Sequence, residues 1–347
     1  MKALSGIRWS VLDRSPVRQG ERPGGALRGT VRFAREAEAL GYHRFWVAEH
    51  HGVPGIAGAA PTVLAAAVAA ATTRIRVGTG GVMLPNHVPL VVAEQFGVLE
   101  ALHPGRIDAG VGRSVGFTEE VRRALGADRD AAADFGERVD ELLAHLDGHA
   151  ALPPLPSARP ADGPLPVFVL ATGAGADLAA RRGLPLVIGS GRDPDTLAAA
   201  VDRYRAGFRP SPRAAAPYVV VAVNAAVAAT GEEAELRQLP EAWSVARSRT
   251  TGAFAPLLPP AGVPLASATA RELRHLEQAR AAQLNGNAEQ VGGRLAALAG
   301  RTGADEFLLT FATHDPDDRL DSYRRLASLA GLSGATTPRA MPSSTRS

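Results

Sequence analysis

Eight apolar runs of strand length recur along this chain, and each is followed by a stretch with a helical pattern. The runs are Ile7–Leu12, His43–Val47, one opening at Ile75, Gly105–Gly112, Val167–Leu170, Leu184–Ile188, Tyr218–Val223 and Glu306–Phe311. Helical patterns fill the intervals, for example 24–41, 60–72, 89–102, 193–208 and 317–329. Strands that alternate with helices pair in parallel, because each helix carries the chain back to the same end of the sheet. Eight such units in about 330 residues fit one (β/α)8 TIM barrel, an α/β architecture of about 250 residues plus insertions. An open doubly wound sheet is the alternative. Residues 1–332 read as one barrel domain, with a loop and helical insertion at about 240–285, before the eighth strand. The segment 151–166 is proline-rich and reads as a loop, and 333–347 has the composition of a disordered tail.

Composition narrows the chemistry. Lys2 is the only lysine; all other members of the 38-strong Lys+Arg set are arginine. A P-loop lysine, a pyridoxal Schiff base and a lysine general base are therefore excluded from the body of the fold. With no cysteine there is no disulfide, thiol nucleophile or thiolate metal site. A net charge of +3 does not call for nucleic acid. No apolar run reaches the roughly 18 residues of a membrane helix. No signal-peptide pattern opens the chain, so a cytoplasmic protein is expected.

In a barrel the active site lies at the carboxyl ends of the strands. The polar and glycine-rich segments of this chain fall at those ends. Asp13 closes the first strand, Glu49-His50-His51 follows the second, and Gly80-Gly81 interrupts the third. Arg113-Ser114 follows the fourth strand and Thr172-Gly173 the fifth. Glycine is costly inside a strand unless backbone geometry or a close neighbour requires it. The pair therefore suggests a ligand against bare backbone, with a simple bulge as the alternative. Histidine near a strand end suits acid–base work near neutral pH; a capping or surface pair is the plainer reading. Adjacent histidines on a strand point to opposite faces and chelate one ion poorly, so no metal site is expected. Arg113 can clamp an anion, and Thr172-Gly173-Ala174-Gly175 offers amides at a helix start or an ordinary cap. Gly112-Arg113-Ser114-Val115-Gly116 also fits a nucleophile elbow, for which His314 is the one plausible base.

Three longer runs are more specific. They are Leu40–His51 (Leu-Gly-Tyr-His-Arg-Phe-Trp-Val-Ala-Glu-His-His), Arg74–His87, and Val92–Phe96 continuing to His103–Ile107. In these the chain resembles the bacterial luciferase-like flavin-dependent monooxygenases, in their single-chain oxidoreductase branch. The similarity thins after about residue 240.

The resemblance implies a barrel that binds reduced FMN, or in some relatives a deazaflavin, and a cis peptide at Gly80–Gly81 beneath the flavin ring. It makes His50 the catalytic residue. It puts Gly80, Gly81 and Val82 against the flavin, and Arg113, Ala171, Thr172, Gly173 and Gly175 around its phosphate. Asp13, His51 and His87 are candidate substrate contacts at the same mouth. The substrate is a small organic molecule, oxygenated with dioxygen, and a separate flavin reductase supplies the reduced FMN. A homodimer is implied as well. Relatives often carry serines after the fifth strand and Arg-Ala-Pro-Gly after the fourth. Here Ala171, Gly173 and Ala174 stand in the first loop, and Arg113-Ser114-Val115-Gly116 lacks the proline. A deazaflavin-dependent reductase, a catalytically silent flavin- or partner-binding barrel and a Ser114 hydrolase are the competing functions. The proline-rich 250–269 stretch is expected to act as a mobile lid.

Overall fold

The computed structural model describes residues 4–127, 130–149, 163–173, 175–190 and 193–332. The expected tail 333–347, Ala174 and most of the 151–166 loop lie outside the described residues.

Eight parallel staves close on themselves. They are β1 (Arg8–Asp13), β2 (Arg44–Val47), β3 (Arg76–Thr79) continued by β4 (Val82–Met83), β5 (Ile107–Gly112), β6 (Val167–Ala171), β7 (Leu186–Gly189), β8 (Val219–Val227) and, after a short β9 (Leu284–Gly286), β10 (Glu306–Thr310). Every pairing is parallel, and β10 bonds both β8 and β1, which completes the ring. The outer layer holds α1 (Pro23–Ala39), α2 (Pro61–Ala71), α3 (Pro89–Leu102), α4 (Glu119–Leu125), α5 (Phe135–Asp147), α6 (Gly175–Arg181), α7 (Pro194–Ala206), α8 (Gly231–Thr251), α9 (Ala270–Ala281), α10 (Ala288–Thr302) and α11 (Pro316–Ala330). Helices α1, α2, α3, α7 and α11 open with proline in the first turn, where no backbone donor is lost and φ is already helical. No described helix is long and apolar enough to cross a membrane.

Side-chain alternation along the strands builds two cores. Phe45, Val47, Val77, Val111 and Val169 face outward and pack with the helices. Trp46, Phe168, Val187, Val220 and Leu308 face inward and fill the barrel. One register step toward the amino ends, the interior becomes charged. Arg44 donates to Asp108 (2.7 Å) and to both oxygens of Glu306 (3.0 and 3.1 Å). Arg76 reaches Asp108 at 2.6 Å, the Tyr218 hydroxyl donates to Glu306 at 2.6 Å, and Trp46 Nε1 reaches Asp108 at 3.2 Å. The Arg44 guanidinium also lies 4.9 Å from the Phe168 ring centre. This layer plugs the amino end of the barrel and leaves the carboxyl end to the glycines.

The insertion departs most from the sequence reading. The insertion was expected to begin at about residue 240, yet α8 runs unbroken from Gly231 to Thr251 with Pro240 inside it. An interior proline ordinarily costs about 3 kcal/mol. Here Arg237, Gln238, Pro240, Glu241, Ala242 and Trp243 are all buried, and that packing overrides local propensity. The 250–269 segment is fastened to the neighbouring loops at two points. Leu257 exchanges backbone hydrogen bonds with Val17 (2.9 Å) and Gln19 (2.8 Å), and Gly55 donates to the Phe254 carbonyl at 2.8 Å.

Candidate active site

The carboxyl end of the barrel opens into a cavity of about 640 Å³, within the range of about 300–1,000 Å³ usual for small-molecule and cofactor sites. Its floor is made by Leu170, Val187 and Ala222 with Gly80, Gly81, Gly112 and Gly189. The Gly80–Gly81 peptide is cis, as the resemblance implied. The reason for the glycines differs from the one inferred from sequence. A Cβ on Gly80 would lie 2.5 Å from Leu12 Cδ1, and one on Gly81 would lie 2.8 Å from the Gly110 carbonyl oxygen. Fixed backbone demands glycine at Gly81, whereas at Gly80 the Leu12 side chain would have to give way. Gly189 is the opposite case, since nothing lies within 4 Å of its Cβ position. Its bare backbone borders open cavity, and sequence reasoning missed it. The signal was present as Gly189-Ser190-Gly191 directly after an apolar strand.

One wall is Ala48-Glu49-His50-His51, carried off the end of β2. Glu49 is buried and accepts three hydrogen bonds. They come from His51 Nε2 (2.6 Å), His87 Nε2 (2.8 Å) and the Met83 amide (2.9 Å). Burial alone would raise its pKa, but the hydrogen bonds from His51 and His87 outweigh it and hold the carboxyl at about 2. His50 takes no part in this trio. Burial, helped by the nearby Arg14 guanidinium, pushes its pKa down to about 4, so the imidazole is neutral at pH 7. Its Nδ1 is buried without a hydrogen-bond partner.

The opposite rim comes from the loop after β5. Arg113, Ser114, Val115 and Phe117 line it, and Arg113 is exposed with no hydrogen bond or ion pair among the described residues. Phe254, missed from sequence, completes the rim. Its ring lies 5.3 Å from that of Phe117. Ala171 and Thr172 close the side beyond β6.

Several expected site residues lie elsewhere. Asp13 is fully buried; its carboxylate accepts the Ser15 amide (2.6 Å) and Arg319 (3.3 Å), so it cannot reach a substrate. Val82 is buried in the outer core. Gly173 adopts φ +64°, a left-handed turn without contact to the cavity, and Gly175 is glycine because a Cβ would lie 2.7 Å from that of Ala171. Of the residues expected around a phosphate, Arg113, Ala171 and Thr172 line the cavity, and helix α6 behind them has only seven residues. His87 stands behind Glu49 and does not line the cavity. Ser114 makes no hydrogen bond to a histidine among the described residues, which removes the relay a serine hydrolase requires.

The geometry agrees with what comparison with known proteins finds. The model of the luciferase-like monooxygenase family matches residues 7–312. A luciferase-like monooxygenase of Escherichia coli (strain K12) is 38% identical over 328 residues, covering 91% of this chain and 95% of that protein. The crystal structure of apo-MsnO8 superposes with a TM-score of 0.82 at 36% identity, covering 94% of this chain and 98% of that one. The oxygenating constituent of 3,6-diketocamphane monooxygenase from Pseudomonas putida, in complex with FMN, shares the fold at 17% identity and a TM-score of 0.69. An F420-dependent secondary alcohol dehydrogenase also shares it, at 17% identity and a TM-score of 0.70. A parallel barrel with a glycine floor, a Glu-His-His wall and a family match spanning nearly all of it identify the chain as a member of the luciferase-like monooxygenase family.

Proposed function

We propose that this protein is a flavin-dependent monooxygenase that binds reduced FMN in the 640 Å³ cavity and oxygenates a small organic substrate. The observation that carries this reading is a cavity with bare backbone on its floor and, on its rim, the Arg113 guanidinium, unpaired among the described residues. A flat ring system fits against Gly80, Gly81 and Gly189, where no side chain intrudes. Arg113 and the Thr172 hydroxyl suit a phosphate monoester, which a guanidinium grips bidentately. Reduced FMN would supply two electrons, so that one atom of dioxygen enters the substrate and the other leaves as water.

The chain's own residues do the rest. Val53, Val115, Phe117 and Phe254 exclude water from the mouth. His50, neutral at pH 7, holds or moves a proton at a ring nitrogen beside the substrate. His51 meets the substrate from the wall. No dinucleotide fingerprint is present in the sequence, so a separate reductase delivers the flavin already reduced. A second copy covers α2 and α3, whose Val63, Val98 and Leu102 are 69%, 53% and 65% exposed. Sedimentation should show a dimer that Val98→Glu dissociates; a monomeric wild type rejects this interface.

Binding titrations test the cofactor assignment. Reduced FMN should bind, and Arg113→Ala should weaken it about 10–100-fold, the worth of one charge-assisted pair. Riboflavin, which lacks the phosphate, should be almost unaffected by the same change. If only a deazaflavin cofactor binds, the protein is a dehydrogenase or reductase on the same barrel. Absence of binding by either cofactor overturns the reading.

A further inference from the structure

Three donor atoms converge beside the cavity without a fixed positive charge among them. Glu49 Oε1, His51 Nε2 and His87 Nε2 lie within 4.8 Å of one another. The two ring nitrogens stand 2.6 and 2.8 Å from that one oxygen. Ligands about 2.1 Å from a shared tetrahedral ion stand about 3.4 Å apart, within about 1 Å of both of these contacts. The cluster is therefore close to the spacing an ion would impose. It is also anchored: the second Glu49 oxygen holds the Met83 amide at 2.9 Å, and Arg138 holds the His87 carbonyl at 3.0 Å.

The surroundings favour a cation. A buried carboxylate is costly unless a charge compensates it. Asp13, Asp108, Glu241, Glu272 and Glu306 are buried too, and each faces an arginine. Glu100 takes the Gly105 amide. Glu49 has two imidazoles and an amide but no arginine among the described residues. An imidazole that carries its hydrogen on Nδ1 presents Nε2 as a ligand, and Nε2 is the atom both histidines turn to Glu49. Glu49 and His51 line the cavity, so further coordination positions open toward solvent or substrate.

We propose that Glu49, His51 and His87 form a binding site for one divalent transition-metal ion of the zinc, cobalt and nickel class. Two imidazoles and one carboxylate suit these ions, whereas calcium and magnesium prefer oxygen donors throughout. The sequence argument against a metal considered only the adjacent pair His50-His51, and His50 takes no part in the cluster. The convergent pair is His51 with His87, 36 positions apart in the sequence.

The site is independent of the flavin reading, so the test uses flavin-free protein. Chelator-treated protein is titrated with cobalt(II), following visible absorption and heat. One ion per chain should bind, with the intense absorption of low-coordinate cobalt. His87→Ala and Glu49→Gln should each weaken binding at least about tenfold, whereas His103→Ala, at a distant helix end, should not. If a variant fails to fold, paramagnetic shifts of the two imidazoles in the wild type still decide the matter. No stoichiometric binding, or binding that survives loss of both histidines, reduces the trio to a hydrogen-bonded clamp and overturns the proposal. The flavin titration stands or falls separately.

Discussion

Arg44→Met is expected to cost the protein more than half of its stability. Arg44 is the shared partner of two buried carboxylates, Asp108 and Glu306. Methionine matches the arginine stem in bulk but leaves both acids short of their cation. Removing one member of a buried pair costs about 3–5 kcal/mol, and whole domains are stable by only about 5–15 kcal/mol. Arg76 still holds one side of Asp108, and Tyr218 and Ser10 still donate to Glu306, so the loss falls short of two full pairs. The outcome should be insoluble expression, or a urea midpoint lowered by more than half. Neutralising both acids in the same chain, with Asp108→Asn and Glu306→Gln, should restore much of the loss. A thermal midpoint within a few degrees of wild type would show that the charged layer is not structural.

Gly189→Val is expected to do the reverse, leaving the fold intact and emptying it of function. Valine favours the extended backbone of β7, and nothing lies within 4 Å of the new Cβ. That free space is the cavity in which the flavin ring is proposed to lie. Two methyl groups placed there should weaken FMN at least about 100-fold, or about 2.7 kcal/mol, with an unchanged melting curve. By contrast, Gly110→Ala should damage the fold itself, because its Cβ would stand 2.0 Å from the Thr79 carbonyl oxygen. If Gly189→Val binds FMN within threefold of wild type while folded, the ring does not lie on this floor.

The barrel was legible because parallel strands buried on both faces read as short apolar runs, and here helices separate them cleanly. The strand ends were legible for the same reason, which brought His50, Gly80, Gly81, Arg113 and Thr172 to one mouth. What could not be read is pairing across the chain. Asp13 looked like a mouth residue because its partner, Arg319, lies 306 positions away. His87 looked like a free contact because nothing local shows that it turns back to Glu49. The insertion was read as starting at about residue 240, because the sequence shows the hydrogen bond that Pro240 breaks and not the burial that outweighs it. Only strand register reveals that Arg44 and Arg76 share Asp108.

The sealed amino end has a consequence for traffic. A tube open at both ends would let two reactants arrive and depart independently. Here arginines, carboxylates and the Trp46–Phe168 pair close one end, so the described chamber is entered past Phe117 and Phe254. A ring lying on the glycine floor is therefore the first guest in and the last out. For the proposed enzyme, with its flavin shuttled in already reduced, turnover would wait for the doorway to clear at every cycle.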